Sequence, residues 1–229
     1  MTEQTTKKVK KKGICNALSA LIAALFISLL LSILFEWLGI VFLWPEQGYL
    51  HSQEMMIQEL GWISENTTHR LFGYTPAELA SAITLSVHDW LFVKTGFQDW
   101  LHSSKQHSDW EQLIYYYGGS YLEAIIYVSI TFVIRLMVIV LTSPLFLLSA
   151  FTGFTEGLMM RDLRKFGSGR ESSFLYHHAR RYIKPVMIGS WIIYLSIPFS
   201  VHPNLILIPA AFLFGLSICI TTASFKKYL

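Results

Sequence analysis

Glu36 and Arg135 stand inside long apolar runs, where an ionised side chain is costly and usually has a partner. An acid and a base at similar depth can form a salt bridge between helices or one step of a proton or solute path. Arg135 lies about twelve residues into its run, roughly 17 Å along a helix, and Glu36 about nine residues from the outer end of its own. The two are expected to be mutual partners. A single pair with no further acids or histidines in the apolar runs makes a poor relay, so the expected role is structural.

The other candidates for chemistry are weaker. His51, His69, His88, His102 and His107 fall between the first two apolar runs at spacings that match no metal signature such as HExxH, and are expected to be scattered over the surface. Cys15 and Cys219 each sit in an apolar run, with no CxxC spacing, so neither a zinc site nor a disulfide framework is expected. Ser172 or Ser173 with His177 has helical spacing, but no acid is placed to orient the imidazole and neither serine is a nucleophile elbow. The Gly-Ser-Gly at 167–169 lacks the strand before it and the GK[ST] after it that a phosphate loop needs. No catalytic residue, metal or cofactor is expected, and the chain does not read as an enzyme.

The elements that must position these residues are membrane helices. The chain is 53% hydrophobic and only 14% charged, where about a quarter is usual for soluble domains. Its mean hydropathy is +0.44. A bilayer needs about 20 apolar residues per helix. On that measure residues 14–44, 124–152, 186–201 and 205–223 are expected to be four transmembrane helices, the last two joined by the turn "PFSVHPN". The apolar run after "KKVKKK" is far longer than the roughly 7–15 residues of a signal peptide's core and has no Ala-x-Ala after it, so an uncleaved anchor is expected.

Sidedness follows from lysine and arginine near the span ends. Residues 1–13, 153–185 and 224–229 are rich in them, whereas residues 45–123 hold only Arg70, Lys94 and Lys105. Both termini and the 153–185 segment are therefore expected in the cytoplasm, and 45–123 forms an extracytoplasmic helical insert. Within it "TPAEL" reads as a helix start, with Thr75 as N-cap, Pro76 at the first helical position and Glu78 closing a capping box. A shorter helix is expected from Ser52 to Ile63. Small residues in the first run, Ala20, Ala23, Ala24 and Ser28, suit packing within one chain or between copies. The expected fold class is all-α: a polytopic membrane protein with four spans, a helical insert and a cytoplasmic helical hairpin.

The hairpin carries the charge. Arg161, Arg164, Lys165, Arg170, Arg180 and Arg181 cluster in "RDLRKFGSGRESSFLYHHARR". The first arm is expected over Glu156 to Phe166, stopped by Gly167 and Gly169, and the second from Arg170 or Glu171 to Lys184, with Pro185 leading into the next span. Attraction to anionic lipid, about 1 kcal/mol per basic residue near the surface, accounts for part of this charge. Docking of a protein partner is the favoured further role. Direct DNA contact is less favoured, because juxtamembrane position already explains the charge and no aromatic stacking platform accompanies it. A small-solute transporter or channel subunit is the alternative of a different class. One buried charge pair and no clear pair of broken helices weigh against it, although Pro144 and Pro209 lie inside expected spans.

The strings "FEWLGI" and "WPEQGYLHSQEM" in 35–55, "GLMMRDLRKFGSGRESSFLYHHARR" at 157–181, "PFSVHPN" at 198–204 and the terminal "FKKYL" resemble integral membrane proteins of integrating conjugative elements. That resemblance implies a four-span inner-membrane protein of a bacterium that accompanies the coupling ATPase of conjugative type IV secretion. It implies no catalytic residues.

Overall fold

The computed structural model describes residues 14–66, 75–97, 99, 109–166 and 173–225. Every regular element among them is a helix. We number them α1 (Ile14–Phe42), α2 (Tyr49–Asn66), α3 (Pro76–His88), α4 (Asp109–Phe166), α5 (Ser173–Ser196) and α6 (Pro203–Ala223). Among the described residues three stretches are long and apolar enough to cross a membrane: Ser19–Phe42, Gly118–Arg164 and Pro203–Ala223. The expected all-α membrane architecture is therefore present with three such helices, not four. Of the fourth expected span, 186–201, only residues 186–196 lie in α5, and the first half of that helix carries Arg180, Arg181 and Lys184, which break the apolar window.

α4 organises the molecule. It runs unbroken for 58 residues, about 87 Å at 1.5 Å per residue, well beyond a hydrocarbon core of about 30 Å. It starts at Asp109, not near 124, because the polar stretch before the apolar run continues the same helix. Pro144 and, in α5, Pro185 both lie inside helix. Their missing N–H groups do not end the helices, which are held by packing on both sides of the proline.

The first part of α4 is the core. Ile126, Val128, Ile130, Phe132 and Ile134 are all buried, covered by α1, α2 and α3. α3 begins as its sequence dictates. Thr75 accepts from the Glu78 N–H, the Glu78 carboxylate accepts from the Thr75 N–H at 2.8 Å, and Pro76 opens the helix. It ends in a widened π turn over Asp89–Val93, where the Lys94 N–H reaches back five residues to the Asp89 carbonyl.

The later part of α4 packs in parallel with α6 through small residues. Ser149 donates to the Ala211 carbonyl. A Cβ on Gly153 would overlap the Gly215 carbonyl, and one on Gly157 would crowd Cys219 and Thr222. Hydrogen alone at Gly153 and Gly215 lets the two backbones meet, as in small-xxx-small packing of membrane helices. The sequence carries this seam as Ser149-Gly153-Gly157 against Ala211-Gly215-Cys219; the small residues expected to pack helices were those of α1. The Ser149–Ala211 pair is 62 residues apart, and the two glycine pairs keep that offset, which requires parallel helices of equal rise.

α5 returns beside α6 and not beside the end of α4. Tyr176, near its start, meets Phe225, just past the end of α6, ring to ring. The arms of the expected cytoplasmic hairpin are the last turns of α4 and the first turns of α5, and the second arm meets the end of α6 through the Tyr176–Phe225 contact.

Candidate functional site

Two sites concentrate the charged side chains of the described residues. The first is a buried polar junction on the core part of α4. Arg135 is 2% exposed and Glu59, on α2, is 4% exposed. The Arg135 Nε donates to Glu59 Oε1 at 2.9 Å and to Oε2 at 3.1 Å, and its Nη2 donates to Oε1 at 2.6 Å. The remaining guanidinium protons go to main-chain carbonyls at the end of α5 and in the turn after it: Tyr194 at 3.3 Å, Ile197, and Phe199 at 2.9 Å.

Each part of this arrangement has a physical cause. The last carbonyls of a helix have no partner within it, and a cation there also meets the negative end of the helix dipole. Arg135 supplies both donors and charge to the end of α5. Glu59 balances the charge from the other side. Burial pushes the Glu59 carboxyl above its ordinary range, and the Arg135 charge and hydrogen bonds offset only part of that shift. Beyond α5 the guanidinium reaches the Ile197 and Phe199 carbonyls of the turn that leads to α6. It therefore joins α2, α4, α5 and the α5–α6 turn at one point.

Glu36 does not take part. Its Oε1 accepts from the Ser52 hydroxyl at 2.6 Å and lies 3.0 Å from His51 Nδ1. The His51 ring stacks on Trp44 with centroids 3.8 Å apart. The expected Glu36–Arg135 pair is corrected on this geometry: among the described residues Arg135 is paired with Glu59, and Glu36 ties α1 to α2. The expectation matched the two charges by depth alone and left out α2, which folds back between them. His51 is also not a loose surface residue, since it is held by Glu36 and Trp44. His69, His102 and His107 lie outside the described residues. Ser52 donates its proton to Glu36, and the trio ties the end of α1 to the start of α2.

Glu59 was missed, although a signal existed. Ser52, Met55, Glu59 and Ile63 recur at helical spacing, and all four are buried. An acid on the apolar face of an amphipathic helix is the natural partner for a lone buried arginine.

The second site is the basic end of the bundle. Arg161 and Arg164 lie on the last turns of α4, and Arg180 and Arg181 on the early turns of α5. Arg161 reaches Asp162 at 3.5 Å. Arg180 donates to the Tyr176 hydroxyl at 3.1 Å and its guanidinium lies 5.9 Å from that ring. The Lys165 side chain, Arg170 and Ser172 lie outside the described residues. By the α4–α6 offset Ala223 lies level with Arg161, so the final turn of α4 projects past α6. Leu163 and Phe166 are exposed there, Phe166 at 92%.

A family model described as "IncC plasmid conjugative DNA transfer protein DtrJ-like" matches residues 43–226. The chain belongs to the DtrJ-like family. It is thereby associated with conjugative DNA transfer. The matched family is described from a plasmid, not from integrating elements; conjugation is what the two have in common. The matched stretch contains Arg135, Glu59 and the whole basic end, and leaves Glu36 outside. No curated protein and no solved structure matches the chain.

Proposed function

We propose that this protein is a non-enzymatic inner-membrane component of the conjugative transfer machinery. In this reading it docks the coupling ATPase of type IV secretion, or a channel subunit, through the basic ends of α4 and α5. The observation that carries it is the composition of that end. Arg161, Arg164, Arg180 and Arg181 stand on the same helix ends as the exposed Met159, Leu163, Phe166 and Tyr182. Arginine and large apolar side chains together are what protein interfaces enrich. Lipid headgroups alone would need only the charge. The lysine and arginine bias supports a cytoplasmic position for this end, where a coupling ATPase would meet it.

The rigid part of the molecule supports this role. The arms are continuous with the long helices α4 and α5, so a partner bound at their ends would be registered against the bundle. The test is co-purification of the coupling ATPase from detergent with the wild type and with an Arg161→Glu/Arg164→Glu variant. Loss of the ATPase together with a fall in conjugation frequency of at least tenfold is expected. Unaltered co-purification and transfer would remove the basic end from the mechanism.

A further inference from the structure

Along the α4–α6 seam runs an open groove of about 310 Å³, lined by Thr152, Gly153 and Glu156 from α4 and by Phe212, Gly215 and Cys219 from α6. The two glycines leave part of its wall without side chains. Glu156 is exposed. It lies in the membrane-crossing stretch Gly118–Arg164, eight residues before its end, about 12 Å at helical rise. Among the described residues it has no ion-pair or hydrogen-bond partner. A carboxylate in such a stretch is costly and is normally met by an opposite charge.

α5 carries the complement. Tyr182, Pro185, Gly189 and Ile193 recur at helical spacing and form an uncovered stripe. Tyr182 is 56% exposed and Ile193 58%, and a Cβ added to Gly189 would meet nothing within 4 Å. A small residue on an uncovered face lets another membrane helix approach closely. Arg181 borders the stripe, is exposed, and has no ion-pair partner among the described residues.

Groove and stripe lie at one depth. Tyr176 on α5 meets Phe225 just past α6. Six to thirteen residues from that contact lie Tyr182 to Gly189 on α5 and Cys219 to Phe212 on α6, and the latter pair bound the α6 wall of the groove. Glu156 shares the 62-residue seam offset with Ile218, seven residues from the contact, and Arg181 is five residues from it. The two charges thus differ in depth by about 3 Å. Within one molecule they stay apart, because α5 packs on α6 through another face, where Ala179 and Tyr194 are buried. A rotation about the membrane normal preserves depth, so a second copy brings its stripe to the groove in register. Lipid would cover the apolar residues but leave Glu156 uncompensated.

We propose that two copies of this chain pair in the membrane, the α5 stripe of one lying in the α4–α6 groove of the other, with Arg181 paired to Glu156 across the interface. α5 then runs antiparallel to α4 and α6, and a twofold axis makes the exchange mutual.

Cross-linking between two differently tagged forms, co-expressed in membranes without the coupling ATPase so that docking at the basic end does not enter, tests this. One form carries Cys15→Ser and keeps Cys219 in its groove. The other carries Tyr182→Cys with Cys15→Ser and Cys219→Ser. Mild oxidation is expected to join them as a reducible heterodimer. Phe154→Cys in place of Tyr182→Cys, exposed on α4 outside the groove, should give at least fivefold less. Glu156→Arg in the groove form should lower the cross-link at least fivefold, and Arg181→Glu in the stripe form should restore it. Should Glu156→Arg fail to accumulate, Glu156→Gln decides, with at least a twofold loss expected. No heterodimer between two forms that both accumulate overturns the proposal. So do equal yields from Phe154→Cys and Tyr182→Cys, no loss in either Glu156 variant, a charge exchange that restores nothing, or a different protein joined to Cys219 in place of the second form.

Discussion

Arg135 and Glu59, 76 residues apart in sequence, form a buried pair that closes on both carboxylate oxygens. The guanidinium spends its other protons on the end of α5 and the turn beyond it. A single side chain thus fixes where α2 lies on α4 and where α5 stops.

Removing either member of this pair leaves the other buried and uncompensated, which costs roughly 3–5 kcal/mol. Arg135→Ala and Glu59→Ala are each expected to reduce membrane accumulation and thermal stability strongly. The double variant should lose less than the sum of the two, which a double-mutant cycle on melting in detergent will measure. Strict additivity, or coupling of Arg135 to Glu36 in place of Glu59, would show that the pairing is wrong.

The α4–α6 seam gives a sharper steric test. Gly153→Leu or Gly215→Leu forces the two backbones apart, and destabilisation of several kcal/mol is expected from overpacking. Gly189→Ala on α5, where nothing lies within 4 Å of the added carbon, serves as the control. It should be neutral or stabilising by up to about 1 kcal/mol, the helix-propensity difference. Equal melting temperatures for Gly153→Leu and Gly189→Ala would contradict the close contact.

Loss of the capping box should act locally. Thr75→Ala removes the acceptor for the Glu78 N–H and is expected to cost about 1 kcal/mol. Hydrogen exchange in α3 should speed up while α4 is unchanged. Faster exchange throughout the bundle would mean that α3 is coupled to the core more tightly than its contacts indicate.

Orientation can be read by labelling single cysteines in a Cys15→Ser/Cys219→Ser background. Lys94→Cys should react with an impermeant maleimide added to intact spheroplasts, and Asp162→Cys only after permeabilisation. The reverse pattern would place the basic end outside the cell and end the proposed docking to a cytoplasmic ATPase.

Much of the architecture was legible in the residues. The helix start at Thr75-Pro76-Glu78 and the helix covering Ser52 to Ile63 are local events, set by caps and periodicity within a few residues. The DtrJ-like membership and the resemblance to integrating-element proteins meet at conjugation. Less legible was whatever depends on which helices touch. The expected fourth span failed because arginines at 180 and 181 lie in the same helix as the apolar stretch after Pro185. That α5 packs chiefly against α6, and much less against α4, was likewise not visible in either segment alone.

By itself the sequence determined that the chain is helical, that it carries apolar stretches long enough for a bilayer, and that a buried arginine must be neutralised. These follow from hydropathy, helical period and the cost of an unpaired charge, which act on each segment alone. Only the tertiary structure decided that the neutralising acid is Glu59, that Glu36 belongs to Ser52 and His51, and that α4 and α6 run in parallel at a fixed offset. Those outcomes depend on mutual burial, in which each helix face chooses among several apolar faces of similar energy. Shape at a few positions, such as the bare backbones of Gly153 and Gly215, then breaks the tie.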